Sequence, residues 1–211
     1  MASVADKGTV GTRERIVAEG LRLFAERGFR GTTIGDIEEA AGLTRRAGAL
    51  YNHFGSKEAV LQAAFDRHVG ELEAMHSAIE MMPLGDLRAE LTLLGRWGLH
   101  MLRQERNLRR IVITEGDRFP ALKERYRVAV VDRSYAEALT FLRRKIEEGE
   151  LPALDPEALA ALMAGALLGY QIEQDVFDRS ILGVHEERFL KTFVEAGMAL
   201  AGQRREGNDD G

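Results

Sequence analysis

Residues 40–57 read AAGLTRRAGALYNHFGSK. A solvated helix face accounts for the paired arginines of this stretch, but not for Tyr51, His53 and Phe54 beside them. The flanking sequence supplies the context. Upstream, Thr33 is a good N-cap with Asp36 three positions on, a short capping box, and Ile34, Ile37 and Ala41 form the apolar stripe of a short helix ending at Gly42. Before that, Thr12 precedes RERIVAEGLRLFAERG, where Ile16, Gly20, Leu21 and Phe24 recur at helical spacing and Gly28 supplies a stop. Downstream, Thr44 caps RRAGALYNHF as a third short helix, Gly55 ends it and Ser56 caps the next. Three short helices joined by glycine-containing turns, the second pair separated by AGLT, have the form of a helix-turn-helix. The quoted stretch occupies the place of its recognition helix.

That position gives the side chains a chemistry. Arg45 and Arg46, with Thr44, Ala47 and Gly48, lie at the N-terminal end of the expected helix, where residues face base edges and the backbone amides favour anions. An arginine there can make a forked contact with guanine. Tyr51, Asn52, His53 and Lys57 carry groups that reach phosphate, fixing register without reading sequence. Leu43, Leu50 and Phe54 are expected in the core.

Beyond Lys57 the pattern stays helical. Helices are expected from Lys57 to about Met82, from Asp86 to about Gln104, and from Asn107 to Asp117. Pro120 opens another long stretch, Asp155-Pro156 is a strong helix start, and a last helix runs from about His185 to Gly202. Between Ala158 and Tyr170 the helix is apolar on every face and is expected to be buried all round. Leu159, Leu162, Met163 and Ala166 on this helix, with Leu190, Phe193, Val194 and Gly197 on the last one, are expected to form the interface of a two-fold homodimer. A purely intrachain core is the alternative reading of the same residues.

Composition agrees with an all-α protein: 211 residues, 45% hydrophobic, with four prolines. The absence of cysteine excludes a disulfide scaffold and a Cys-ligated zinc site. The longest apolar run falls short of the roughly 20 residues that span a bilayer, and MASVADKGTVGTRER has no apolar stretch before its charges. A cytoplasmic protein without membrane contact is therefore expected. The net charge of −5 is unevenly placed, since residues 1–57 carry nine Lys/Arg against seven Asp/Glu. A mildly basic first quarter on an acidic body suits one DNA-facing module.

TTIGDIEEAAGLTRRAGALYNHFGSKEAVL resembles the DNA-binding signature of the tetracycline-repressor (TetR) family of bacterial transcription regulators. The matching features are Phe24 with Gly28-Phe29, Thr33, Ile37 with Ala40-Ala41-Gly42, Leu50-Tyr51, His53-Phe54 and Ser56-Lys57-Glu58, over about residues 12–62. Thr44 to Tyr51 encloses six residues where the commoner family pattern has four, so two residues are added at the turn or at the front of the recognition helix, and the family's base contacts do not carry over to Arg45, Arg46 and Ala47. The resemblance implies an arm (1–11), a helix-turn-helix domain (12–56), an all-helical effector-binding and dimerisation domain (57–202) and a tail (203–211). It supports Thr33, Tyr51, His53 and Lys57 as phosphate contacts on a palindromic operator. It also implies a cavity for a small-molecule effector lined by Trp97, His100, Met101, Thr114, Glu115, Tyr126, Tyr170 and Gln174. A repressor released from double-stranded DNA by that ligand is the function implied, with no cofactor.

No two histidines are three or four apart on one helix, and no phosphate loop, GxGxxG or Gly-x-Ser-x-Gly elbow is present, so neither a metal site nor an enzyme is expected. The alternative from another class is a helical protein-interaction module without specific DNA binding, its basic N-terminal face meeting an acidic partner.

Overall fold

The computed structural model describes residues 11–45, 48–79, 85–180 and 182–206. Every regular element among them is helical: α1 (Thr12–Gly31), α2 (Ile34–Ala40), a 3₁₀ turn (Ala49–Asn52), α3 (Lys57–Ile79), α4 (Leu87–Gln104), α5 (Arg106–Glu115), α6 (Pro120–Tyr126), a π-helical stretch (Arg127–Asp132), α7 (Arg133–Glu147), α8 (Pro156–Phe177) and α9 (Glu186–Glu206). The expected arm, apart from Gly11, and residues 207–211 of the expected tail lie outside the described residues, while α9 runs on to Glu206.

The chain forms two compact units. The first contains the residues up to Glu71 together with Asn107–Tyr126, so it extends beyond the boundary expected at residue 56 and recruits α5 and α6. Its core is built on Ile16, Leu23, Phe24, Phe29, Ile37, Leu50, Leu61 and Phe65, all essentially without exposed surface. The apolar stripe of α1 faces α3 so closely that a Cβ on Gly20 would lie 2.8 Å from Val60. Gly28, at φ 72°, breaks the helical path of α1 as its sequence position suggests.

Thr33 and Asp36 close the α2 capping box. The expected third helix is not formed from Thr44. Gly48 takes the left-handed conformation (φ 72°, ψ 12°), which interrupts a helix, and only Ala49–Asn52 coil, as one 3₁₀ turn.

The second unit contains Leu72–Arg106 and the residues from Arg127 onward. Leu87 and Leu91 of α4, Leu142 of α7, Leu159 and Ala160 of α8 and Val194 of α9 share one core cluster. A second joins Leu99, Leu167, Tyr170 and Leu190. Glycines let α4 approach its neighbours: Cβ atoms on Gly98 and Gly197 would each fall 2.8 Å from Leu167 and Leu91. The long helix expected after Pro120 is divided by the π-helical stretch at Arg127–Asp132. Asp155 caps α8 by accepting from the amides of Glu157 and Ala158, with Pro156 opening the first turn.

The expectation for α8 is altered by one face. Leu159, Ala160, Leu167 and Tyr170 are buried in the unit's core, whereas Ala158, Ala161, Leu162, Gly165, Ala166 and Gly169 are exposed on the single chain.

A buried ionic clasp ties α4 to the end of α7. Lys145, 2% exposed, stands 2.7 Å from Glu90, 3.0 Å from Glu148 and 2.9 Å from Glu150. Burial alone would lower its pKa, but hydrogen bonding to Glu90, Glu150 and Glu148 outweighs that and holds it above the ordinary lysine value. Removing the lysine takes from Glu90, itself 5% exposed, its closest counter-charge and leaves it the Arg144 guanidinium at 3.6 Å. Lys145→Ala is therefore expected to cost about 3 kcal/mol of unfolding free energy, measured by urea denaturation.

Candidate nucleic-acid interface

The 3₁₀ turn presents three polar side chains from a fixed base. Leu50 is fully buried and its amide donates to the Glu38 carboxylate at 3.1 Å. Glu38 is itself without exposed surface, so a carboxyl acceptor inside α2 fixes the turn's backbone. Phe54, 6% exposed, closes the other end, with the Arg13 guanidinium 4.8 Å from its ring centre. Above this base Tyr51, 58% exposed, and Asn52 and His53 face solvent.

A groove of about 460 Å³ is lined by Arg30, Thr32, Thr33, Ile34, Gly35, Arg45 and Lys57, with one wall on α2, the helix that packs against the turn. Its side chains differ in how far they are already engaged. Lys57 Nζ donates to the carbonyls of Phe29 (2.8 Å) and Thr32 (2.7 Å) and lies 4.2 Å from the Phe29 ring centre. It closes the end of α1 while remaining a groove wall. Arg45 donates to Asp36 (3.0 Å) and Glu39 (3.2 Å), so its guanidinium is folded back onto α2 instead of standing at a helix N-terminus. Thr33 Oγ1 donates to Asp36 Oδ2 at 2.6 Å and accepts from the Asp36 amide at 3.2 Å. Thr44 is exposed, Gly48 supplies the left-handed bend, and Arg46 and Ala47 lie outside the described residues.

The residues expected to line an effector cavity are divided between the two units. Thr114, Glu115 and Tyr126 belong to the first. There Thr114 is exposed and its hydroxyl donates to the Arg110 carbonyl (2.9 Å), Tyr126 is buried, and Glu115 accepts the Phe29 amide at 2.8 Å. Trp97, His100, Met101, Tyr170 and Gln174 belong to the second. The Trp97 and His100 rings lie 5.6 Å apart and Met101 is buried. Tyr170 and Gln174 share the wall of an open groove of about 700 Å³ with Arg103, Arg179 and His185. Tyr170 donates to the Val184 carbonyl at 3.3 Å and stacks on Phe189, and burial raises its phenol pKa.

Of the residues expected at a dimer interface, Leu159, Leu190 and Val194 are buried in the chain's own core, and Met163 and Phe193 pack against it. Gly197 meets Leu91. Leu162 and Ala166 face outward. No group of three or more His, Cys, Asp or Glu able to hold a metal occurs among the described residues, and no helix there is long and apolar enough to cross a membrane.

The motif reading omits Glu38, Arg30 and the contact of Glu115 with α1. For Glu38 a signal exists in the sequence: with Ile34, Ile37 and Ala41 it falls at positions 1, 4, 5 and 8 of one helical stripe, so a carboxylate stands on the buried face.

Comparison with known proteins places this geometry. Residues 16–64 match the family model for bacterial regulatory proteins of the tetR family, and residues 89–196 match that for the C-terminal domain of AefR-like transcriptional repressors. The HTH-type transcriptional regulator SrpR of Pseudomonas putida is 30% identical over 165 residues, covering 77% of this chain and 74% of SrpR. YerO, an HTH-type transcriptional regulator of Bacillus subtilis, is 45% identical over 58 residues, which are 28% of this chain and 19% of YerO. The chain thus spans about a fifth of that relative. The crystal structure of a TetR transcriptional regulator from Chloroflexus aurantiacus superposes with a TM-score of 0.68 at 26% identity, covering 87% of this chain and 92% of that one.

Asp36 gives the interface a dependence on pH. Hydrogen bonds from the Thr33 hydroxyl and then the Thr33 amide hold its carboxyl below the ordinary value of 3.8. A depressed folded pKa contributes stability above the unfolded value and loses it as pH falls through the folded one. Asp36→Asn is therefore expected to lower the thermal midpoint at pH 7, with the difference from wild type closing as pH drops below about 3.8. Paired calorimetric scans across that range check it.

Proposed function

The chain belongs to the TetR family of bacterial regulatory proteins, and from that premise we propose that it is a sequence-specific DNA-binding repressor whose second unit binds a small-molecule ligand. The supporting observation is the exposed Tyr51-Asn52-His53 turn, held from beneath by buried Leu50 and Glu38 and flanked by the groove at Thr33 and Lys57. A rigid base with exposed polar tips is what a duplex-reading element needs, because phosphate contacts fix register only when their spacing is fixed. Arg45 and Arg46 supply candidate base contacts, with Arg45 exchanging carboxylates for DNA.

The apolar outer face of α8 supports a homodimer on a palindromic operator. Ala158, Ala161, Leu162, Gly165, Ala166, Gly169, Ile172 and Val176 are exposed on the single chain and follow helical spacing, with Leu162 at 72% exposure. A stripe of this length on a soluble monomer is an interaction surface, and its small residues allow two helices to lie close. The interface is thus assigned to the outward residues Leu162 and Ala166 and their neighbours. Leu159, Leu190 and Val194 support it from within the fold.

For the ligand, Trp97 offers a specific chemistry. Its indole Nε1 is buried and has no acceptor among the described residues. A ligand carrying an acceptor oxygen would satisfy a donor that otherwise costs about 1–3 kcal/mol. Such a ligand lowers DNA affinity only as far as it prefers the conformation that does not bind DNA.

Selection from random duplexes is expected to recover a palindrome whose affinity falls steeply with salt. Recovery of no sequence would favour the protein-interaction module. Leu162→Asp is expected to convert the dimer to monomer in sedimentation velocity runs and to reduce binding to the full palindrome, while helicity by circular dichroism stays unchanged.

A further inference from the structure

We propose that Arg30, at the end of α1, anchors a DNA backbone phosphate in the groove beside Thr33. The inference rests on the DNA-binding reading and adds to it a residue outside the recognition turn. Three cations line this groove: Arg30, Arg45 and Lys57. Arg45 is neutralised by Asp36 and Glu39. Lys57 is held by the Phe29 and Thr32 carbonyls, which leaves its charge unmatched but its position fixed. Arg30 is exposed and has no ion pair or side-chain hydrogen bond among the described residues.

The Asp36 carboxylate, next in sequence to Gly35 of the groove lining, is engaged by Thr33 and Arg45. What remains is a positive field from Arg30 and Lys57 over a concave surface that carries Thr33. A guanidinium with all five donors available suits a phosphate oxygen pair, and one reaching from a helix end has the freedom to meet it. The occupant is the DNA backbone and not a free anion, because the groove is open and its wall on α2 belongs to the helix that packs against the exposed Tyr51-Asn52-His53 turn, which a duplex would cover at the same time. A base contact is excluded by the same placement: Arg30 lies in the last turn of α1, ahead of the helix-turn-helix pair, where contacts fall on the backbone side of the motif.

The test uses the full-length protein and the duplex recovered by selection, with a scrambled duplex of equal length. Each phosphate contact contributes about 0.9 to the slope of log affinity against log salt, which is about eightfold in affinity at 0.1 M. Arg30→Ala is expected to weaken binding to both duplexes by about that factor and to lower the slope by about 0.9. Arg30→Lys, which keeps the charge, is expected to restore the slope. Arg30→Gln provides a second neutral variant, and thermal midpoints establish that each protein is folded. An unchanged slope in both neutral variants overturns the proposal while leaving the DNA-binding reading intact. A loss confined to the selected duplex overturns it as well, since that marks a base contact. If wild type binds neither duplex, the proposal and the reading beneath it both fail.

Discussion

The end of α1 is the point on which the first unit depends. Gly28 turns the backbone out of the helix at φ 72°, and Phe29 is left with an amide, a carbonyl and a ring that all need partners. The amide goes to Glu115 at 2.8 Å and the carbonyl to Lys57 at 2.8 Å. The ring is 2% exposed, packs on Phe24 and Phe119, and has the Lys57 ammonium and Arg118 guanidinium over it. One residue therefore joins α1, the start of α3 and the α5–α6 segment. The contacts reinforce one another, because each partner that fixes the backbone of Phe29 also fixes where its ring sits.

This arrangement explains why a segment 86 residues away in sequence belongs to the DNA-facing unit. A helix end leaves backbone groups without intrahelical partners, and burying it requires something to satisfy them. Here the acceptor comes from Glu115 and the donor from Lys57, one side chain from each side of the gap in sequence. Lys57 thereby acquires two duties that fit together. It closes α1 through two carbonyls, and in doing so its charge is carried to the groove wall at a fixed position. In the proposed DNA-binding role, a side chain that is already ordered would lose less conformational entropy on meeting phosphate.

How much of this was legible in the sequence depends on whether the deciding contact is local. Gly28 as a stop, the Thr33/Asp36 capping box, Asp86 and the Asp155-Pro156 start are read within four residues, and each stands where its local chemistry puts it. The recognition segment departs from the expected helix because the left-handed backbone of Gly48, set by the fold around it, keeps the helix propensity of ALYNHF from reaching back to Thr44. Glu38 and Glu115 show a second kind of loss. Each is a carboxylate on the inward side of its helix, and its role as an acceptor for Leu50 or Phe29 depends on which amide the fold delivers to it. Arg45 illustrates the third: its charge was evident, but not that Asp36 and Glu39 would hold it.

Helix α8 follows the same logic on a larger scale. Apolar residues on every face require burial all round, and the single chain covers only the side carrying Leu159, Leu167 and Tyr170. Two devices could relieve the uncovered side, polar substitution or a second copy. The sequence takes the first on α9, where Arg88, Arg96 and Arg103 of α4 pair with Glu195, Glu187 and Glu186 along its flank. It takes no such step on the middle of α8, where residues 158–170 carry no charge and Gly165, Ala166 and Gly169 leave the backbone itself approachable. Polar groups are placed where the chain meets water, and small apolar ones where another backbone is to come close. That contrast between adjacent helices is the physical support for the proposal that a second copy of this chain covers α8.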